Sequence, residues 1–223
     1  MREIGAPGAP RRTEEILEYY GVPAQIDATK SLNEYFLLLE KNRKWAKLTS
    51  SGFKVESEKA LADSLAVGKS IGFGREKSVA DLGAGGGLLG LVLAICCEGC
   101  DVTLVESSSR KAAFLAEATG ALGVRNARVV NARAESLVGV EQYDVVVSRA
   151  AGRLRVMAPL ALGLLPGTGL YVALKAVGVA GEIAEALPEI EAASGRLISA
   201  AAVDTPSFLS TQTRASLVLI EKL

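Results

Sequence analysis

"VADLGAGGGLLGLVLAICC", residues 79–97, places five glycines between two apolar runs, with a single acid, Asp81, ahead of them. Such a stretch reads as a strand, a sharp turn and a helix, which is a nucleotide-binding arrangement. In that reading Gly83 permits the turn out of the strand, Gly85 lets a ligand approach the backbone, and Gly87 opens the helix. A dinucleotide fingerprint, G-x-G-x-x-G, requires glycine at position 88, where the chain has Leu88. The pattern present is G-x-G-x-G.

Outward from this loop the period is that of an α/β protein. "KSVADLG", "DVTLVES", "NARVVNA", "YDVVVSRA" and "GTGLYVALK" are short, β-branched and unalternating. Helical segments separate them: "LLGLVLAICC", "SSRKAAFLAEATGALG" and, after the fourth strand, "RVMAPLALGLL". This predicts a parallel sheet covered on both faces. After the helix "VAGEIAEAL", "GRLISAAAV" and "ASLVLIEKL" follow one another with only a loop between them, an antiparallel pair at one edge. Residues 12–71 read as helices instead. "TEEILEYYG" has Thr13 as N-cap and Gly21 as stop; a second helix carries the stripe Leu32, Tyr35, Phe36, Leu39; Ser57 opens a third. The expected division is a helical extension over 1–71 and one compact α/β unit over 72–223.

Composition narrows the chemistry. Hydrophobic residues are 49% of the 223, enough for a sizeable core. Lys plus Arg and Asp plus Glu each total 25, a zero net charge that argues against non-specific coating of nucleic acid and leaves room only for a local basic patch. The chain has no histidine, which excludes imidazole bases, histidine metal sites and Ser-His-Asp triads. Cys96, Cys97 and Cys100 contain one C-x-x-C and no second pair, so no zinc site, and no metal of any kind, is expected. They read as small apolar residues at a helix end, with a redox pair as the alternative. No stretch resembles a secretory signal, and no apolar run approaches the ~20 residues of a membrane span. A cytoplasmic monomer is expected.

The second strand ends at Glu106, 23 residues after Gly83, where a carboxylate accepts hydrogen bonds from vicinal ribose hydroxyls. That acid serves NAD and S-adenosylmethionine equally. The G-x-G-x-G with Asp81 two residues ahead resembles the first motif of S-adenosylmethionine-dependent methyltransferases. Further segments, in order, are "KLTS" (47–50), "ALADSL" (60–65), "DLGAGGGLLGLVLAI" (81–95), "VTLVESSSRKAAFL" (102–115), "NARAESL" (131–137), "YDVVVSRA" (143–150) and "YVALK" (171–175). With these the chain resembles the bacterial small-subunit ribosomal RNA guanine-N7 methyltransferases, the glucose-inhibited division protein B group.

The resemblance implies a Rossmann-like class I methyltransferase: a mostly parallel seven-stranded sheet, helices on both faces and an N-terminal helical extension. It implies S-adenosylmethionine as donor, in a pocket from Gly83, Leu88, Ala134, Glu135 and Arg149, with Asp81, Gly85 and Glu106 completing it. Adenine would lie against the Ala134–Glu135 backbone. Arg149 would act near the donor and the incoming base; its bland reading is a salt bridge to Asp144 or Glu135. Lys175 ends the fifth strand on the same side of the sheet, as a phosphate contact or a solvated charge. The implied partner is small-subunit ribosomal RNA or the ribosomal small subunit. RNA would meet Lys41, Arg43, Lys44 and Lys47 around Trp45, and Arg153 and Arg155 after "SRA". Trp45 has a second reading, as the last apolar contact of its helix. Arg214 is the nearest counterpart of the family's C-terminal arginine.

Four positions depart from the family: Lys47 for asparagine, Ala60 for histidine, and Leu88–Leu89 for phenylalanine–proline. The basic tail of many members is also missing. A non-ribosomal or small-molecule methyltransferase and a non-catalytic S-adenosylmethionine-binding homologue therefore stay open. A nicotinamide oxidoreductase conflicts with Leu88. Guanine N7 carries an in-plane lone pair, so methyl transfer to it needs no general base, which suits a chain without histidine.

Overall fold

The computed structural model describes residues 12–23, 28–45, 57–73, 76–209 and 215–223. Three helices come first: α1 (Thr13–Tyr20), α2 (Ala28–Asn42) and α3 (Ser57–Ile71). The alternating series follows as β1 (Lys77–Leu82), α4 (Gly90–Cys96), β2 (Cys100–Val105), α5 (Ser109–Ala121) and β3 (Ala127–Val130). A 3-10 turn (Ala134–Leu137) leads to β4 (Val145–Arg149), α6 (Leu154–Leu162), β5 (Leu170–Ala176), α7 (Ala180–Ala192), β6 (Gly195–Ala202) and β7 (Ala215–Lys222). The seven strands form one sheet in the order β3-β2-β1-β4-β5-β7-β6. β1 to β5 are mutually parallel, and β7 runs antiparallel between β5 and β6.

The strands lack alternation because both faces are buried. Val79, Val145, Val147, Val172 and Leu174 enter the core layer beneath α1–α5. Their neighbours Ala80, Leu82, Val146, Tyr171 and Ala173 enter the layer beneath α6 and α7. Successive side chains along a strand alternate between these layers. On α2 the stripe Leu32, Tyr35, Phe36 and Leu39 is buried as its spacing predicts.

Two local expectations change. Thr13 is not a cap: Arg12 holds that position, and the Thr13 hydroxyl instead donates to Asn33 Oδ1 at 2.8 Å. Gly21 does end α1, in the left-handed region at φ 74°. At the end of α4, Cys97 and Cys100 are joined as a disulfide instead of acting only as small fillers, because the turn brings their Cα atoms to 5.4 Å. Cys96 is free and buried, and burial pushes its thiol up to about 12.

Candidate active site

β1 and β4 are neighbours, yet the chain leaves β1 toward β2 on one side and β4 toward β5 on the other. A crevice opens at such a reversal, beyond the carboxyl ends of the strands. Three of the expected residues stand there: Gly83 after β1, Glu106 after β2, and Arg149 at the end of β4.

The loop between β1 and α4 turns on left-handed backbone at Gly83, Gly85 and Gly87, with φ of 72°, 61° and 86°. Gly87 lies three residues before the helix and does not open it. Gly90 does, and a side chain there would collide with β1 and β2: an added Cβ would stand 2.4 Å from Leu104 Cδ2 and 2.7 Å from Asp81 Cβ. That closeness lets Asp81 Oδ2 accept the Gly90 N–H at 2.8 Å. Asp81 is therefore a helix cap supplied from a neighbouring strand, for a helix whose own cap residue, Leu89, offers none.

Burial raises the Asp81 carboxyl to about 7, against the lowering effects of the Gly90 N–H and the Arg149 charge; Glu106 raises it further. Its folded value exceeds its unfolded one, so its stabilising contribution is complete below about pH 4 and is lost as pH rises through about 7. Asp81→Asn keeps an acceptor for Gly90 without the titration. The variant is expected to match the parent in melting temperature near pH 4 and to exceed it near pH 8. A difference between the two proteins that stays constant from pH 4 to 8 would contradict this.

Four of the loop amides are committed inward. Gly83 and Ala84 N–H both donate to Val105 O, at 2.9 and 3.0 Å, and Gly87 N–H donates to Ala84 O at 2.8 Å. Gly85 N–H donates to Glu106 Oε2 at 2.9 Å, while Glu106 Oε1 accepts from Ser108 N–H at 2.7 Å. A pyrophosphate needs converging N–H groups, and these four are occupied. The loop suits a ligand that brings no phosphate. Glu106 is 6% exposed, and each of its oxygens keeps a further lone pair for a ribose hydroxyl. Asn131 steadies that corner by donating to Glu106 O at 2.8 Å.

The N-terminal helices hold the loop from behind. The Tyr35 hydroxyl of α2 donates to Gly86 O at 2.8 Å. The Ser64 hydroxyl of α3 sits between the carbonyls of Ala60 and Leu88, and its one proton serves that pair.

Arg149 shares its face with Val145 and Val147, and so points toward α3. Its Nη2 lies 3.5 Å from Asp63 Oδ2, and its Nη1 donates to Ala60 O at 3.4 Å. Neither Asp144 nor Glu135 is its partner. Asp144 Oδ2 instead accepts from Ser78 N–H and Oγ, each at 2.8 Å, at the other end of the strands, and Glu135 is exposed in the 3-10 turn. Beyond Arg149 the chain passes through Ala150 at φ 49° and Gly152 at φ 138°. Ala151 Cβ would stand 3.2 Å from a Cβ at Gly83, so this loop lies against the glycine loop.

Lys175 does not accompany Arg149. β4 and β5 pair with Arg149 opposite Leu174, so Lys175, one residue on, faces the α6–α7 layer. There its ammonium donates to Gly152 O and meets Glu182 Oε1, both at 2.6 Å, while Glu182 also caps the start of α6 through Leu154 N–H at 2.6 Å. Its charge is engaged within the protein and steadies the loop after β4.

Ala134, half-buried, opens the 3-10 turn beside β3, and Leu88 is half-buried against the core. α2 rises toward the same end of the sheet. Ser31 lines a depression with Glu98, Gly123 and Asn126 at the amino end of the strands, and four residues later Tyr35 reaches Gly86 at the carboxyl end. Lys41, Lys44 and Trp45 are therefore carried beyond the glycine loop, and all three are exposed. At 54% exposure Trp45 is not a last core contact of its helix. Arg43 is half-buried and pairs with Glu40 at 3.5 Å. Arg153, at the N-cap of α6, and Arg155 are exposed. Lys47 and Arg214 lie outside the described residues.

Sequence reading did not single out Tyr35, Asp63, Ser64 or Gly90 for the site. Asp63 and Ser64 had a signal, as adjacent polar residues inside the apolar helix "ALADSLAV". Gly90 had one too, as a glycine inside a helical run. Tyr35 had none, since a tyrosine on a helical stripe reads as core.

Among the described residues no group of His, Cys, Asp or Glu is placed to hold a metal, and no helix is long and apolar enough to cross a membrane. Residues 28–208 match the family model described as rRNA small subunit methyltransferase G. The ribosomal RNA small subunit methyltransferase G of Pelotomaculum thermopropionicum is 34% identical over 227 aligned residues, covering 100% of this chain and 87% of that protein. The protein of the same name from Stenotrophomonas maltophilia is 45% identical over 125 residues, covering 56% of this chain and 58% of its own length. In fold, the chain is similar to a 16S rRNA N2 G1207 methyltransferase from T. thermophilus, solved with AdoMet and guanosine. That pair has a TM-score of 0.55 and 19% identity, covering 78% of this chain and 45% of that one. A TehB-like SAM-dependent methyltransferase from Corynebacterium glutamicum gives a TM-score of 0.54 at 20% identity, over 83% and 97% of the two chains.

Proposed function

The chain belongs to the rRNA small subunit methyltransferase G family, and from that premise we propose that it methylates guanine N7 in small-subunit ribosomal RNA, with S-adenosylmethionine as donor. The observation that carries the reading is a juxtaposition. A glycine loop with four of its amides bonded within the protein, a carboxylate with oxygens free for further hydrogen bonds and the guanidinium of Arg149 occupy one end of the sheet, with Asp81 within electrostatic reach of both charged groups.

Bound S-adenosylmethionine supplies an electrophilic methyl: the bond from N7 to carbon forms as the carbon–sulfur bond breaks, its electron pair staying on sulfur. The chain's own groups supply position. Glu106 accepts the ribose hydroxyls, and Gly83 and Gly85, both at least partly exposed, let the ligand lie on bare backbone. The Ala134–Glu135 backbone borders the adenine. Arg149 contacts the incoming nucleotide through O6 or a phosphate, leaving N7 open for attack. No residue has to remove a proton. Lys41, Lys44 and Trp45 at the end of α2, with Arg153 and Arg155, form a basic and aromatic surface for single-stranded RNA beside that opening.

The donor half is tested by calorimetry. S-adenosylmethionine and its demethylated product are expected to bind, and NAD is not. Glu106→Ala should weaken donor binding by about 1.5–3 kcal/mol, the range for hydrogen bonds to a charged group. Equal donor affinity in parent and variant would remove Glu106 from the site. The acceptor half is tested by transfer of labelled methyl to isolated small subunits and to free RNA. Donor binding with no labelled product from either would point to a different acceptor.

A further inference from the structure

The carboxylate facing Arg149 comes from α3, outside the strand-and-loop machinery of the site. Asp63 is 2% exposed, as buried as the core leucines around it, and lies 3.5 Å from Arg149 Nη2. Lys59, one turn earlier, approaches the same oxygen at 3.3 Å. The next residue, Ser64, is the one whose hydroxyl meets Leu88 O of the glycine loop. Two adjacent residues of α3 thus touch the two halves of the site, Ser64 the donor loop and Asp63 the arginine.

A guanidinium beside an acceptor base raises a difficulty that the geometry resolves. Methyl transfer moves a positive charge from sulfur onto the purine. A bare cation near that ring would oppose the transition state, because unlike the reactant sulfonium the charge develops on the base that the arginine touches. An arginine whose charge is offset from behind by a buried carboxylate can still donate hydrogen bonds forward, with its planar fork fixed in one orientation. From this we infer that Asp63 is a positioning residue for methyl transfer, acting through Arg149: it fixes the guanidinium's orientation and offsets its charge. The inference rests on the methyltransferase reading given above.

The test is single-turnover transfer of labelled methyl by the full chain, with donor affinity measured separately. Asp63→Asn is expected to lower the rate by about tenfold or more while donor Kd stays within about threefold, since the carboxylate touches the arginine and not the donor. Combined with Arg149→Ala, the same substitution is expected to change the residual rate by less than about twofold, because the group it acts through is gone. Lys59→Met, which removes the other cation beside Asp63, should leave the rate within about twofold. A purely structural Asp63 would lower the rate by the same factor with and without Arg149, and that result would overturn the inference, as would a normal rate in Asp63→Asn. Should Asp63→Asn lose its circular-dichroism spectrum, Asp63→Glu, which keeps the charge one methylene displaced, decides by the same pair of measurements. If the parent protein itself transfers no methyl to small subunits or RNA, the proposed function fails and this inference falls with it. If the parent is active and only the Asp63 prediction fails, the function stands.

Discussion

Arg149→Ala is expected to lower single-turnover methyl transfer by about a thousandfold, close to 4 kcal/mol of transition-state stabilisation, while the protein stays folded. The size follows from position. Arg149 is the last residue of β4, at the reversal point of the sheet, with the loop behind it packed on the glycine loop. Truncating the cation that faces a buried carboxylate usually strands its partner, at a cost of several kcal/mol. Here Lys59 remains 3.3 Å from the same Asp63 oxygen, so the carboxylate keeps a counter-charge and the melting temperature should move little. Donor affinity should fall less than the rate, because the ribose contacts proposed for the donor belong to Glu106. One side effect is specific. Arg149 lowers the Asp81 carboxyl, so its removal should push that group higher still and extend the pH range over which stability declines. A variant that keeps the parent's rate would take Arg149 out of the reaction.

How much of this was legible in the sequence depended on whether the deciding contact was local. The β1 turn, the acid Glu106 just after β2 and the antiparallel β6–β7 pair follow from residue order, since each is set by neighbours within a strand or loop. The face on which a strand-end residue sits is also a local matter, and the sequence reading missed it for Lys175. Arg149 ends β4 and Lys175 is next to last in β5, but the register pairs Arg149 with Leu174, which sends the lysine to the opposite layer. Contacts between distant segments were invisible. Nothing near Arg149 in the chain announces Asp63, 86 residues away, and the guesses made from nearby acids, Asp144 and Glu135, were wrong for that reason. The same holds for Tyr35 and Gly86, and for the disulfide only in part, since a spacing of three permits the bond without requiring it.

Gly90→Ala carries the largest expected effect on stability, and it runs against helix propensity. Gly90 is the first residue of α4, where alanine would ordinarily be favoured by up to about 1 kcal/mol. Its backbone is not in the left-handed region, so conformational freedom is not why glycine stands there. Space is. The new methyl would meet Leu104 Cδ2 at 2.4 Å, Asp81 Cβ at 2.7 Å and Asp81 Oδ2 at 2.8 Å, and two of these atoms belong to the short, fixed side chain of a central strand. Overpacking of this kind costs about 1–3 kcal/mol. Displacing Asp81 also takes its carboxylate off the Gly90 N–H, a lost cap worth about 1 kcal/mol or more. The net expectation is a loss of about 3 kcal/mol, or roughly 6–12 °C in melting temperature for a chain of this size. Asp81→Asn in the same background should not restore it, because the asparagine occupies the same volume. Asp81→Ala should restore only a small part, since it clears the oxygen but keeps the Cβ that stands 2.7 Å from the new methyl. Thermal unfolding of the parent and the three variants at one pH decides the matter: a Gly90→Ala protein as stable as its parent would mean that β1 and β2 yield at this point, and that the approach of α4 to Asp81 is not what selects glycine.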